Sequence, residues 1–217
     1  MEELLSFLHD LKNNNNKEWF EAHKSAYLSI KKQHEAFVSS MLKELIKFDD
    51  SLADLTVKDL VFRIYRDVRF SSDKSPYKTH IGAYFAKGGK KSTAAGYYLH
   101  IEPEKSMLAG GAYQPPADYL HKIRQEIDYN SATLKKITES SDFRQFFNQI
   151  EGESLKTAPK GYAKDHPEID LLRKKSFIVH HLISDKVLCS DNFLAHTLTV
   201  FKSMQPFIHF LNEAMEL

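Results

Sequence analysis

The sequence has a single cysteine, Cys189, so no disulfide can form within the chain and the fold does not depend on an oxidising compartment. No apolar run reaches the roughly 18 residues that would span a bilayer. The start, M-E-E-L-L-S-F-L-H-D, is acidic where a secretory signal would be basic, and a cytoplasmic protein without a membrane partner is expected. Charge of one sign is also lacking. Thirty basic residues against 29 acidic ones leave a formal charge of +1, which argues against a surface designed throughout for nucleic acid or anionic membranes. Any basic site must be local.

Signature motifs are missing too. There is no G-x-x-x-x-G-K-[ST] phosphate loop, H-E-x-x-H metal pair, G-x-S-x-G elbow, C-x-x-C or G-x-G-x-x-G. Metal ligation is therefore not expected from spacing, despite eleven histidines, and adjacent His180 and His181 would point to opposite faces of a strand.

The chain does have enough apolar content for a core: 42% of its 217 residues are hydrophobic, and one domain over residues 1–217 is expected. Leu4, Leu5, Leu8 and Leu11 mark a first helix that ends near Lys12 at the run Asn13 to Asn16. Asn16 can cap a second helix carrying Trp19, the only tryptophan, which is expected in the core. A longer helix follows, with a stripe that includes Ile30, His34, Val38, Met41 and Leu45. His34 on that stripe reads as a hydrogen-bonded core histidine.

Between residues 61 and 113 the pattern alternates, predicting strands at 61–70, Ile81 to Phe85, Tyr97 to Ile101 and Met107 to Tyr113. A glycine- and lysine-rich hairpin tip joins the second and third. Gly110 and Gly111 predict a bulge or a close backbone approach. Beyond Pro115 the chain is helical again, and Glu168 to Arg173 predicts two turns of helix. A β-rich run covers Phe177 to Ile183, and a final helix is expected to kink or break at Pro206. The fold class is α+β: an antiparallel meander of four or more strands packed by N-terminal and C-terminal helices.

The most unusual stretch is V-F-R-I-Y-R-D-V-R-F-S-S-D-K-S-P-Y-K-T-H, residues 61–80, with an arginine at every third position from 63 to 69. Arginine suits planar, multi-donor recognition of carboxylate or phosphate, and a desolvated guanidinium needs an acidic partner or a bound anion. As a strand, the stretch places Arg63, Tyr65, Asp67 and Arg69 on one face and Arg66 on the core face with Phe62, Ile64, Val68 and Phe70. Arg63, Arg69, Lys74 and Lys78 are then candidates to bind a small anionic ligand. Tyr65 and Tyr98, with Tyr84, are candidate walls. Asp67 and His100, or His80 in place of His100, are candidate proton-transfer groups. Arg66 and Asp73 are the candidate structural ion pair. A second basic concentration, Lys156, Lys160, Lys164, Arg173, Lys174 and Lys175, reads as a solvated loop, or as a lid in which Lys160 meets the anion.

Three stretches, N-N-N-K-E-W-F at 14–20, F-R-I-Y-R-D-V-R-F-S-S-D-K-S-P-Y-K-T-H at 62–80 and P-K-G-Y-A-K-D-H-P at 159–167, resemble the domain-of-unknown-function family number 2461 of bacteria and fungi. The resemblance covers nearly the whole chain. It implies one globular domain and brings no activity, cofactor or catalytic residue with it. Family-like sequences commonly carry lysine where Ser72 stands and aspartate where Ala163 stands, which makes both poor candidates for an essential role.

The leading expectation is a basic, aromatic pocket for a small phosphate- or carboxylate-bearing ligand, whether or not the protein is an enzyme. The alternatives are a nucleic-acid-binding sheet using Tyr65, Tyr84 and Tyr98 for stacking, and a structural or interaction protein whose arginines only make ion pairs. Nothing in the sequence names a cofactor or an oligomeric state.

Overall fold

Apolar spacing and capping set the N-terminal helices of the computed structural model, which describes residues 1–216. Leu4, Phe7, Leu8 and Leu11 bury one face of α1 (Glu2–Asn13). The Asn16 side chain accepts a hydrogen bond from the Trp19 backbone N–H at 2.9 Å and so starts α2 (Lys17–Ala22). In α3 (Lys24–Leu45) the buried residues Ile30, His34, Val38, Met41, Leu42 and Leu45 recur at helical spacing. The short α4 (Val57–Leu60) begins where the Asp59 carboxylate accepts from both the backbone N–H and the hydroxyl of Thr56.

Four strands form an antiparallel sheet in the order β1 (Ile81–Phe85), β2 (Gly96–Ile101), β3 (Ser106–Ala112) and β4 (Phe177–Ile183). Between β3 and β4 lie α5 (Ala117–Tyr129), α6 (Ser131–Thr138), α7 (Ser141–Arg144) and the single turn α8 (Ile169–Leu172), shorter than the two turns expected. After β4 come α9 (Asp185–Leu188) and α10 (Phe193–Met215). This is the expected α+β meander, with helices from both ends of the chain around one contiguous cluster of buried apolar residues running from Leu4 to Met215.

Strand alternation assigns the two faces of the sheet. Ala83, Phe85, Tyr97, Leu99, Leu108, Phe177 and Val179 are buried on one face, where Phe201 of α10 sits 6.3 Å from the Phe85 ring and 5.2 Å from the Tyr97 ring. The pairs Gly82 with His100, His100 with Met107, Tyr84 with Tyr98, and Tyr98 with Ala109 define the other, open face. Adjacent histidines divide as expected: His180 pairs with Ala109 on the open face, and His181 lies beside Phe146 and His196 on the helix side.

The strand expected at 61–70 gives way, and three other expectations are narrowed. Residues 61–70 do not form a strand. They fold with 71–78 into an irregular hairpin held by Arg66 N–H to Pro76 C=O (2.9 Å) and Lys78 N–H to Ile64 C=O (2.8 Å), with only single bridges at Val61–Ala83 and Tyr65–Tyr77. Pro76 has no N–H to return, and the Asp67 and Asp73 carboxylates take the backbone N–H groups of Arg69 and Ser75 that a ladder would use.

No bulge occurs at Gly110 or Gly111, since the β2–β3 and β3–β4 registers run through both. Close approach is the reason for these glycines: a Cβ on Gly110 would lie 2.3 Å from Met204 Sδ, and one on Gly111, at φ +120°, would lie 2.1 Å from the Phe177 carbonyl oxygen. Pro206 does not break the final helix, which continues on either side of it as α10. His34 is in the core, with no partner in good hydrogen-bond geometry and the Gly82 backbone as its polar neighbour.

Candidate functional site

The open face of the sheet floors a cleft of about 720 Å³, and its construction follows from register. Tyr84 of β1, Tyr98 and His100 of β2 and Ala109 of β3 point into it from the floor. The irregular hairpin supplies one wall with Phe62, Arg63 and Lys78, and the β1–β2 connection supplies Lys90, Ser92 and Thr93. The turn after β3 closes another side with Tyr113, Gln114 and Pro115.

Arg63 and Lys78 are the cationic pole. Among the described residues neither lies within 4.0 Å of a carboxylate oxygen, although eight other lysines and arginines outside this cleft make such pairs. Lys78 instead holds its ammonium 5.5 Å from the centre of the Phe62 ring, and Phe62 meets Tyr98 edge-on at 6.2 Å. Burial, reinforced by the Arg63 charge, lowers the Lys78 pKa. An unpaired, partly desolvated ammonium is stabilised by an incoming anion.

The second polar group is the trio His80, His100 and Glu102. The β1–β2 register pairs Ile81 with Ile101 and Gly82 with His100, so one step further His80 stands across from Glu102. His100 and Glu102, two apart, share a face. His100 Nε2 lies 3.2 Å from Glu102 Oε2, and His100 Nδ1 lies 3.1 Å from the Tyr98 hydroxyl oxygen. Thr79 donates its hydroxyl hydrogen to Glu102 Oε1 at 3.2 Å, and the His80 and His100 ring centres are 4.5 Å apart.

Burial, with the His100 and Lys78 charges adding to it, pushes the His80 pKa down to about 4. Burial raises that of Glu102, but the His100 and Thr79 hydrogen bonds and the neighbouring His80 outweigh it and the net shift is downward. Burial and the Glu102 charge push Tyr98 up to about 12. At neutral pH the trio is thus a carboxylate beside a neutral His80, with a neutral tyrosine hydroxyl at its edge. Chemically, the chain Glu102–His100–Tyr98 can pass a proton, and the three donor groups can chelate a cation.

Arg63, Lys78, Tyr98 and His100, together with Tyr84, line this cleft. Other candidates lie elsewhere. Tyr65 packs against Tyr77 (5.4 Å) and Phe20 (6.1 Å), so it does not join Tyr84 and Tyr98 in a stacking row. Asp67 is held by Arg69 through 2.9 and 2.6 Å contacts on the exposed hairpin, which lowers its pKa, and neither lines the cleft. Lys74 donates to the Val68 carbonyl at 3.0 Å.

Arg66 and Asp73 do pair, but on the hairpin and not in the core, because the strand that would have turned Arg66 inward is not formed. Lys160 lies outside the cleft. The second basic loop is occupied with its own structure: Arg173 donates to the carbonyls of Leu155 and Lys156 at 2.9 and 2.8 Å, and Lys175 pairs with Glu153. Glu102 escaped the sequence reading. Its signal was H-x-E at the end of a strand, together with the hairpin register that carries His80 across to it.

Residues 3–210 match the model of the family described as Conserved hypothetical protein (DUF2461). The chain belongs to that family. Comparison with curated proteins and with solved structures gave no match.

Two of the three stretches that carry the family resemblance meet in space. The Asn15 side chain clamps the Tyr77 backbone from both sides, donating to its carbonyl at 2.9 Å and accepting from its N–H at 3.1 Å. Phe20 stacks on the Tyr77 ring at 3.9 Å. Tyr77 immediately precedes Lys78, so the N-N-N-K-E-W-F stretch acts as a buttress for the arm that delivers Lys78 and His80. The third stretch is remote from the cleft, and within it His166 Nε2 lies 2.9 Å from Asp128.

Proposed function

We propose that this protein binds a small molecule with a phosphate or carboxylate group and a flat apolar portion in the cleft on the open face of its sheet. The observation that carries this reading is the pair Arg63 and Lys78, two cations without a carboxylate partner at one concave site. Lys78 is half-buried, so leaving its charge unpaired costs stability that a ligand's counter-charge would restore, and the exposed Arg63 adds to the positive field at the cleft mouth. The aromatic floor and wall, Tyr84, Tyr98, Phe62 and Tyr113, suit a ring or other flat group.

A concave cleft fits a small ligand better than a nucleic-acid strand, which needs an open row of stacking side chains. The Tyr84 hydroxyl is moreover committed to the carbonyls of Ala94 (2.8 Å) and Gly111 (3.3 Å). A cytoplasmic setting accords with a fold that uses no disulfide.

The test is an amide-resolved NMR titration of the full chain, in chelator, with a panel of aryl phosphates and aryl carboxylates. Saturable shifts at Gly82, Gly96 and Gly111, absent with the uncharged parent compounds, support the reading. No saturable shift at the cleft for any member of the panel would reject it.

A further inference from the structure

The His80, His100 and Glu102 donors lie within 4.8 Å of one another, His80 and Glu102 facing each other one step beyond the β1–β2 register and His100 two residues before Glu102. We infer that they form a binding site for one divalent first-row cation, zinc being the first candidate, at the edge of the cleft that His80 and His100 line. This goes beyond the anion site, since it rests on a separate donor set.

The geometry is close to what a metal needs. Ligand bonds of about 2.0 to 2.1 Å at tetrahedral angles put neighbouring donor atoms about 3.3 Å apart. His100 Nε2 and Glu102 Oε2 already stand 3.2 Å apart, and a ring nitrogen of His80 lies within 4.8 Å of both residues' donor atoms. Two imidazoles and a carboxylate form the donor set that suits zinc or ferrous iron and that hard-ligand metals such as magnesium use least.

The surroundings are those of a ligand set. Histidines that bind metal through one nitrogen are oriented by a hydrogen bond at the other, and ligating carboxylates are themselves hydrogen-bonded. Tyr98 stands 3.1 Å from His100 Nδ1, and Thr79 donates to the second oxygen of Glu102 at 3.2 Å.

A proton relay through Glu102, His100 and Tyr98 would use the contacts of His100 with Glu102 and Tyr98, but it leaves His80 without a task. His80 makes no side-chain hydrogen bond among the described residues, yet it is half-buried with its ring 4.5 Å from that of His100. A cation shared by the two imidazoles accounts for that placement. Three protein ligands leave coordination positions open toward the cleft, where an anion held by Arg63 and Lys78 would complete the shell.

The experiment is calorimetric titration of chelator-stripped full-length protein with Zn²⁺, paired with Co²⁺ absorption spectroscopy. One saturable site per chain is expected, with visible Co²⁺ bands of four- or five-coordinate intensity. Glu102→Gln and His80→Asn should each weaken Zn²⁺ binding at least tenfold, with folding of each variant checked by circular dichroism. Absence of a saturable site in the unmodified chain overturns the inference without any variant. So does a Co²⁺ spectrum of weak six-coordinate type that persists in both variants, the result expected of exposed histidines such as His9. Anion binding measured in chelator is independent of this outcome, so failure of one site does not count against the other.

Discussion

Lys78 holds its ammonium 5.5 Å above the Phe62 ring at the wall of the cleft, with Arg63 as its charged neighbour and no carboxylate in reach. Its role is therefore separable from folding. Lys78→Ala should reduce the affinity for a cleft-binding aryl phosphate by about tenfold or more, in line with loss of one charge-assisted hydrogen bond worth roughly 1.5 to 3 kcal/mol. Lys78→Arg should keep most of it. Affinity by calorimetry beside urea unfolding decides this: a variant that loses stability while keeping affinity would make Lys78 structural.

Acid should destabilise the fold through His34. Burial lowers its pKa from 6.5 to about 4, with the Gly82 backbone offsetting part of the effect. Above pH 6.5 both folded and unfolded states hold it neutral, and its contribution is fully present. Between pH 6.5 and 4 the unfolded chain binds a proton that the folded chain excludes, so stability is lost as pH falls, by about 1.4 kcal/mol per unit and roughly 2 to 3 kcal/mol by pH 4.5. Urea titrations at pH 7.5 and 4.5 should show this loss reduced by that amount in His34→Leu.

Tyr97 donates to the buried Asp49 carboxylate at 2.8 Å, and Ser51 donates to its other oxygen at 2.6 Å. Tyr97→Phe removes only the hydroxyl but leaves Asp49 short of a donor. The expected cost is about 1 to 3 kcal/mol by urea unfolding, with cleft binding unchanged.

Gly111→Ala should be more damaging than its size suggests. The residue sits at φ +120°, and the added Cβ meets the Phe177 carbonyl, which is backbone and cannot swing aside. Strain of this kind costs of order 1 to 3 kcal/mol, and more with the clash. Gly110→Ala meets the tip of the flexible Met204 side chain and should cost less. Comparing the two unfolding midpoints checks the order.

Removing Arg69 should do little. Its pair with Asp67 is on the exposed hairpin, where solvent and salt screen the attraction. Arg69→Ala is expected to leave both the thermal midpoint and aryl phosphate affinity as they were. A tenfold loss of affinity would show that the hairpin folds over the ligand.

These residues also show what could be read from the chain alone. Helical spacing at Leu4, Leu8 and Leu11, the Asn16 cap and the period-two runs at 81–85 and 97–101 are local signals, and local sterics and hydrogen bonding settle them. The sequence by itself also determined that Lys78, Tyr98 and His100 were candidates, because charge and aromaticity in strand-like surroundings are visible in one dimension.

Tertiary structure decided the rest. Whether 61–70 joins the sheet depended on Pro76 and the two aspartates competing for backbone donors, so the arginines parted company: Arg63 to the cleft, Arg66 and Arg69 to exposed pairs. The carboxylate beside His100 proved to be Glu102 and not Asp67, two residues on along the same face, while hairpin register brought in His80 from some twenty positions away. Composition and period fix which residues can be buried or charged; only the pairing of strands fixes which of them share one small volume.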